Sequence, residues 1–225
     1  MAIVIQSNKA NMVSDIATAL EYAGGKIADL TVESGTDCQG MTGAAIIKDG
    51  THTIASVCIG DNNYGNFSAH AFASDSVHFG YYGGYSQKNV LKVVATKSAV
   101  AFINPPASGQ TILALIITTD NKEGYCCVVK TGSSVANLND PTIVPRSAAY
   151  TAEIKYTATA NFSFGCTSLA KIPVPSYDGT AKYLPDVCFA HATQYSVDGS
   201  VMLNGTQKFY CIGGTWFIDD KEGNT

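Results

Sequence analysis

Charge is what this sequence has least of. Of its 225 residues, 14% are Asp, Glu, Lys or Arg, against roughly 25% in ordinary soluble domains. The 14 Lys and Arg form no cluster and the net charge is −4, so the electrostatic footprint of a nucleic-acid partner is missing. No apolar run reaches the length a membrane-spanning helix needs, and no membrane partner is expected. The start, Met1-Ala-Ile-Val-Ile-Gln6, has no basic region and too few apolar residues for a secretory signal, so folding in a cytoplasm is expected. There is no G-x-S-x-G elbow, phosphate-binding glycine loop, G-x-G-x-x-G or H-E-x-x-H. There is also no Cys-x-x-Cys pair, the common half of a structural zinc site.

What is present is apolar and finely divided. Hydrophobic residues make up 46% of the chain, and 21 glycines break them into short runs. Four settings, holding five of the seven cysteines, look alike: Val57-Cys58-Ile59, Cys126-Cys127-Val128, Val187-Cys188-Phe189 and Tyr210-Cys211-Ile212. Each is a strand-like apolar run, where a reduced cysteine serves as a small core hydrophobe.

One helix is expected, near the start. Asn11 or Ser14 can cap it, and Met12, Ile16, Ala19, Leu20 and Ala23 share one face at helical spacing. Gly24-Gly25 can end it through positive φ. That apolar stripe can pack on a sheet or a neighbouring subunit, and Met12, Ile16 and Leu20 are candidate interface residues.

From Lys26 onward the period is that of strands. Residues 44–48 and 51–59 read as a hairpin across Asp49-Gly50, and 111–119 with 125–130 as another across 120–124. Further strands are expected at 76–82, 90–96 and 99–103, the last stopped by Pro105-Pro106. Ile112 to Ile117 is continuously apolar, as in a strand buried on both faces. Residues 131–146 are rich in turn chemistry and offer a boundary. Residues 171–176 hold Pro173 and Pro175, which argues against a central strand. A third hairpin is expected across Asn204-Gly205, followed by a strand at 215–219. The expected fold is mainly β, an antiparallel β-sandwich or jelly-roll-like arrangement with one short N-terminal helix. Its parts would be an arm and helix at 1–25 used in assembly, a β-sandwich domain at 26–131, a second β portion with a C-terminal hairpin at 147–220, and a tail at 221–225. Residues 132–146 would form a linker, or the whole a single domain.

Candidate chemistry is sparse. His70 and His78 could face the same side of neighbouring strands and reach a metal with Asp61 or Asp75, but hydrogen-bonded histidines are the simpler reading. Residues 61–66 resemble a calcium loop in composition alone and lack its closing Glu. No catalytic residue, metal or cofactor is therefore expected. The aromatic run Phe79-Gly-Tyr-Tyr-Gly-Gly-Tyr85 sets glycine beside tyrosine, which exposes ring faces to partners. Tyr81, Tyr82 and Tyr85, together with Trp216, are candidate binding or stacking residues.

The C-terminal pattern runs through Tyr183-Leu-Pro-Asp-Val-Cys-Phe189, Gln194-Tyr195, Gly199 to Gly205 and Phe209-Tyr210, and closes on Gly213-Gly-Thr-Trp-Phe-Ile-Asp-Asp220. It resembles the ends of virion structural proteins of tailed bacteriophages that infect Gram-positive bacteria. The opening, Ile5-Gln-Ser-Asn8 followed by the helix, is loosely similar. The resemblance implies a non-enzymatic head, head–tail or tail component, assembled in the bacterial cytoplasm and located in the virion. Its partners would be other virion proteins and copies of itself. The alternatives are a receptor- or carbohydrate-binding β module at a particle tip, with a host-surface glycan as partner, and a hydrolase with an unrecognised site.

Overall fold

Among the described residues, three antiparallel sheets and one α-helix make up a mainly β fold. The computed structural model describes residues 2–60, 66–74, 77–85, 90–97, 99–104, 112–119, 125–132, 142–146, 154–155, 160–164, 167–174, 182–191, 201–204, 207–212 and 215–219. Side chains are described at 2–60, 67–72, 78, 90–97, 99–103 and 115–118.

The five-stranded sheet is a simple meander of β2 (Thr31–Thr36), β3 (Thr42–Asp49), β4 (His52–Ile59), β5 (Asn66–Ser74) and β6 (Val77–Tyr85). The seven-stranded sheet is a second meander of β7 (Leu91–Ala95), β8 (Ala99–Asn104), β9 (Ile112–Thr119), β10 (Tyr125–Gly132), β11 (Thr142–Arg146) and β12 (Ile154–Lys155), with β1 (Ile3–Ser7) added beside β7. The third sheet holds β13 (Ala160–Phe164), β14 (Thr167–Val174), β15 (Lys182–His191), β16 (Val201–Asn204), β17 (Gln207–Ile212) and β18 (Thr215–Asp219), in the order β13-β14-β15-β18-β17-β16.

The first two sheets share one core. Alternate residues of β3, β4, β5, β7, β8 and β9 point to it, as the two-residue period of a strand requires. Ala45, Ile47, Val57, Ile59, Phe67, Ala69 and Ala71 come from one sheet. Leu91, Val93, Ala95, Val100, Phe102, Leu115 and Ile117 come from the other. β5 meets β9, β10 and β11 across this core, while helix α1 (Met12–Ala23) packs on β1, β7 and β8 on one side and β2 and β3 on the other. The result is a sandwich whose sheets face each other directly at one flank and are separated by α1 at the other.

The helix lies where its apolar stripe sends it. Met12, Ile16, Ala19, Leu20 and Ala23 are all buried in the sandwich. This corrects the expectation for Met12, Ile16 and Leu20 as interface residues. The chain's own two sheets cover that face, and none of it is left for a neighbour. The N-terminal arm is likewise part of the sheet, since Ile3 to Ser7 pair with Ala95 to Leu91. Asn11 caps the helix without a side-chain bond to it, and the Ser14 hydroxyl instead donates to the Asn11 carbonyl at 2.8 Å. Gly24 and Gly25 take φ of 69° and 54° and end the helix as the sequence suggests.

The expected hairpins form. β3 and β4 close on the pair Asp49↔His52, so the turn is Gly50-Thr51, one residue later than expected, with Gly50 at φ 58°. β9 and β10 close on Thr119↔Tyr125, and β16 and β17 on Asn204↔Gln207. Leu115, Ile116 and Ile117 are all fully buried, so β9 is covered on both faces. One reading changes. Thr142–Arg146 is a strand that continues the seven-stranded sheet beside β10 rather than a linker. β14, paired with β13 and β15 over its first part, extends through Pro173, with a register shift between Lys171 and Pro173. Its ladder to β13 ends at Ala160↔Lys171, so Pro173 pairs only with β15. A local edge of this kind tolerates the missing donor.

Candidate functional site

The outer face of the five-stranded sheet is not bare. On β5, Ser68, His70 and Phe72 alternate with the core-facing Phe67, Ala69 and Ala71, and so stand on the opposite face. Ser56 and Cys58 on β4 are register partners of His70 and Ser68. On β6, His78 pairs with Phe72, and Gly80 stands opposite His70. His70 and His78 are therefore diagonal neighbours, and the glycine opposite His70 leaves room between the strands.

The connection from β2 to β3 folds over this face. Asp37 holds it in shape. Its Oδ1 accepts the backbone N–H of Gln39 at 2.9 Å and of Met41 at 2.8 Å. The Asp37 N–H donates to the Met41 carbonyl, and the Gly40 N–H to the Asp37 carbonyl, both at 3.0 Å. Gly40 takes φ 81° to close the turn. The other carboxylate oxygen of Asp37 accepts the Ser68 hydroxyl, which ties the loop to β5. Asp37 is only 6% exposed, and these bonds are what make a buried carboxylate tolerable. Met41 packs beside Ala44, Ile46 and Cys58 and seals one side of the loop.

This fold-over places Cys38 against the two histidines. One ligand atom each from Cys38, His70 and His78 lie within 4.8 Å of one another. The imidazoles meet edge to face, with ring centres 5.3 Å apart at 81°, and Phe72 flanks His78 at 5.5 Å. Cys38 is exposed and His70 is buried. Burial, and then the neighbouring His78, pull the His70 imidazole below its ordinary value, with Asp37 opposing. Burial, and then the Asp37 charge, push the Cys38 thiol up. Among the described residues, His70 Nδ1 and the hydroxyl of its cross-strand partner Ser56 are buried without a hydrogen-bond partner.

Three chemistries are open to a cysteine beside two imidazoles. A nucleophilic thiolate needs a depressed thiol pKa, and here the thiol is raised. A purely structural hydrogen-bonded cluster would satisfy the buried His70 nitrogen, which has no partner. A soft or borderline metal ion takes thiolate and imidazole as ligands; it would occupy a histidine nitrogen that lacks a partner and would itself displace the thiol proton.

The sequence-level candidates fare unequally. His70 and His78 do come together, while Asp61 and Asp75 lie outside the described residues. Tyr81, Tyr82 and Tyr85 stand on β6 opposite Ala69, Ser68 and Asn66, and Trp216 stands on β18 between Cys188 and Cys211. The side chains of all four lie outside the described residues. Cys38 was missed. The signal was its setting, Thr36-Asp-Cys-Gln-Gly40, which is polar where the strand cysteines sit among apolar neighbours. No family model, no curated protein and no solved structure matches this chain.

Proposed function

We propose that this chain is a structural or accessory component of a tailed-bacteriophage particle, working through contact with copies of itself and other virion proteins. The observation that carries the reading is β1. Among the described residues it ends the seven-stranded sheet and pairs only with β7. It is Ile3-Val-Ile-Gln-Ser7, with no charge, proline or bulge, and Val4 is 43% exposed. Proteins that stay monomeric usually blunt such an edge with lysine, proline or a covering segment. An edge left apolar and uncharged suits a chain that adds a neighbour's strand there. The resemblance of the two termini to virion proteins supports the same reading.

Light scattering on the purified full chain tests it, together with mass spectrometry and imaging of intact particles. The expected result is a defined oligomer or particle-bound protein, and Val4→Lys disrupts that association while leaving the far-UV spectrum unchanged. A wild-type chain that remains monomeric at high concentration and is absent from particles overturns the proposal.

A further inference from the structure

We infer that Cys38, His70 and His78 form a binding site for a zinc-type divalent cation, held on the outer face of the five-stranded sheet by the loop from β2 to β3. Three observations converge on it. The three side chains supply one thiolate and two imidazoles, the donor set such ions prefer, and the ligand atoms already lie within 4.8 Å of one another. In a tetrahedral zinc site adjacent donors are about 3.4–3.6 Å apart, so closure asks for a movement of about an ångström. Cys38 lies between β2 and β3 rather than in a strand, and is the ligand free to make it. His70 is 3% exposed, and its Nδ1 has no partner among the described residues. Lastly, the residue next to Cys38 is the buried carboxylate of Asp37, bonded to two backbone N–H groups and to Ser68. It fixes the loop on the sheet and adds a negative charge that offsets the cation's.

Binding releases the Cys38 thiol proton to solvent, and one metal–sulfur and two metal–nitrogen bonds replace bonds from the hydrated cation to its waters, which leave to solvent. Three protein ligands leave a fourth position for water or an exogenous donor. The site does not depend on particle assembly, so either proposal can fail alone.

The test is titration of the reduced, chelator-stripped full chain with Co²⁺, followed by displacement with Zn²⁺. The expected result is one equivalent bound per chain, with a thiolate-to-cobalt charge-transfer band and the strong visible bands of a four-coordinate site. Cys38→Ser abolishes the charge-transfer band, and His78→Ala weakens binding by tenfold or more. Both positions are tested with circular dichroism alongside, and one folded variant suffices. Absence of the band in the wild-type chain overturns the inference. So does a band that survives unchanged in Cys38→Ser or in His78→Ala, because the metal would then sit on other cysteines.

Discussion

The bond between Asp37 and Ser68 ties the loop to β5 beside the packing of Met41 on Cys58, and its strength can be worked out. The Asp37 carboxylate is 6% exposed and accepts bonds from Gln39 N–H, Met41 N–H and the Ser68 hydroxyl. A hydrogen bond to a charged group contributes about 1.5–3 kcal/mol net. Asp37→Ala removes all three, but Gln39 is exposed, and water can replace the partner of its N–H. The net loss is therefore about 3–5 kcal/mol. For a chain of this length that corresponds to a drop in Tm of about 6–20 °C. Ser68→Ala leaves the carboxylate with two donors and costs about 1–3 kcal/mol. The double variant isolates the pair, with an expected coupling of about 1.5–3 kcal/mol. Urea denaturation of the four proteins, followed by far-UV circular dichroism at constant m-value, reads it out. A coupling under about 0.5 kcal/mol would show that the loop is not held to β5 by this bond. The geometry of the Cys38 cluster would then lose that support.

Further outcomes follow from the same contacts. Ile16 is fully buried between the two sheets, so Ile16→Ala lowers the stability of the isolated chain by about 2–5 kcal/mol, read by chemical denaturation. An unchanged midpoint would return the helix to the role of an external arm. Gly24 takes φ 69° and ψ −170°, a region nearly confined to glycine, and Gly24→Ala costs about 1–3 kcal/mol although nothing lies within 4 Å of the added methyl. A loss of less than half a kcal/mol would mean the chain relaxes there freely. A glycan array probed with the full chain is expected to give no hits. Binding that is lost on alanine substitution of Tyr81, Tyr82, Tyr85 or Trp216 would favour a carbohydrate-binding module over an assembly role.

What could be read from the sequence was whatever depends on local pattern. The α1 stripe, the Gly24-Gly25 stop and the three hairpin strand pairings are each set by residues close in the chain, and all formed, the first with its turn one residue later than expected. β1 escaped because five residues carry too little periodicity to stand out, and their partner, β7, is more than eighty positions away. Pro173 does stand outside a central position, because β13 ends before it, and β14 continues there as a local edge since proline excludes a ladder bond on one side only. The candidate site was half legible. The two histidines could be placed on neighbouring strands, but the third ligand comes from a loop, and tertiary contacts, the bond from Ser68 to Asp37 and the packing of Met41 on Cys58, bring it over them. Sequence spacing between Cys38 and His70 carries no trace of that fold-back.

The shortage of charge now has a different explanation from the one composition suggests. Low charge in a soluble chain invites the inference of hidden intermolecular surface. Yet in β4 the core-facing Ala55, Val57 and Ile59 and the outward-facing Ser56 and Cys58 are all fully buried. In β5, Ser68 and His70 on the outer face are as covered as Phe67 and Ala69 on the inner. Val94, Ala101, Ile103 and Ile116, which alternate with the core residues of β7, β8 and β9, are fully buried too. At these positions both faces are covered by the chain itself, and a position so covered disfavours a charge, which cannot reach water there; the charge these strands do carry, Lys92 on β7, sits where burial is incomplete. The depletion is therefore accounted for within one molecule at these strands and argues nothing about partners. An argument for assembly must rest on apolar surface that the chain leaves open. Among the described residues the large hydrophobic side chain left exposed is Val4, on the uncharged edge strand β1, and it is there that association should be disrupted first.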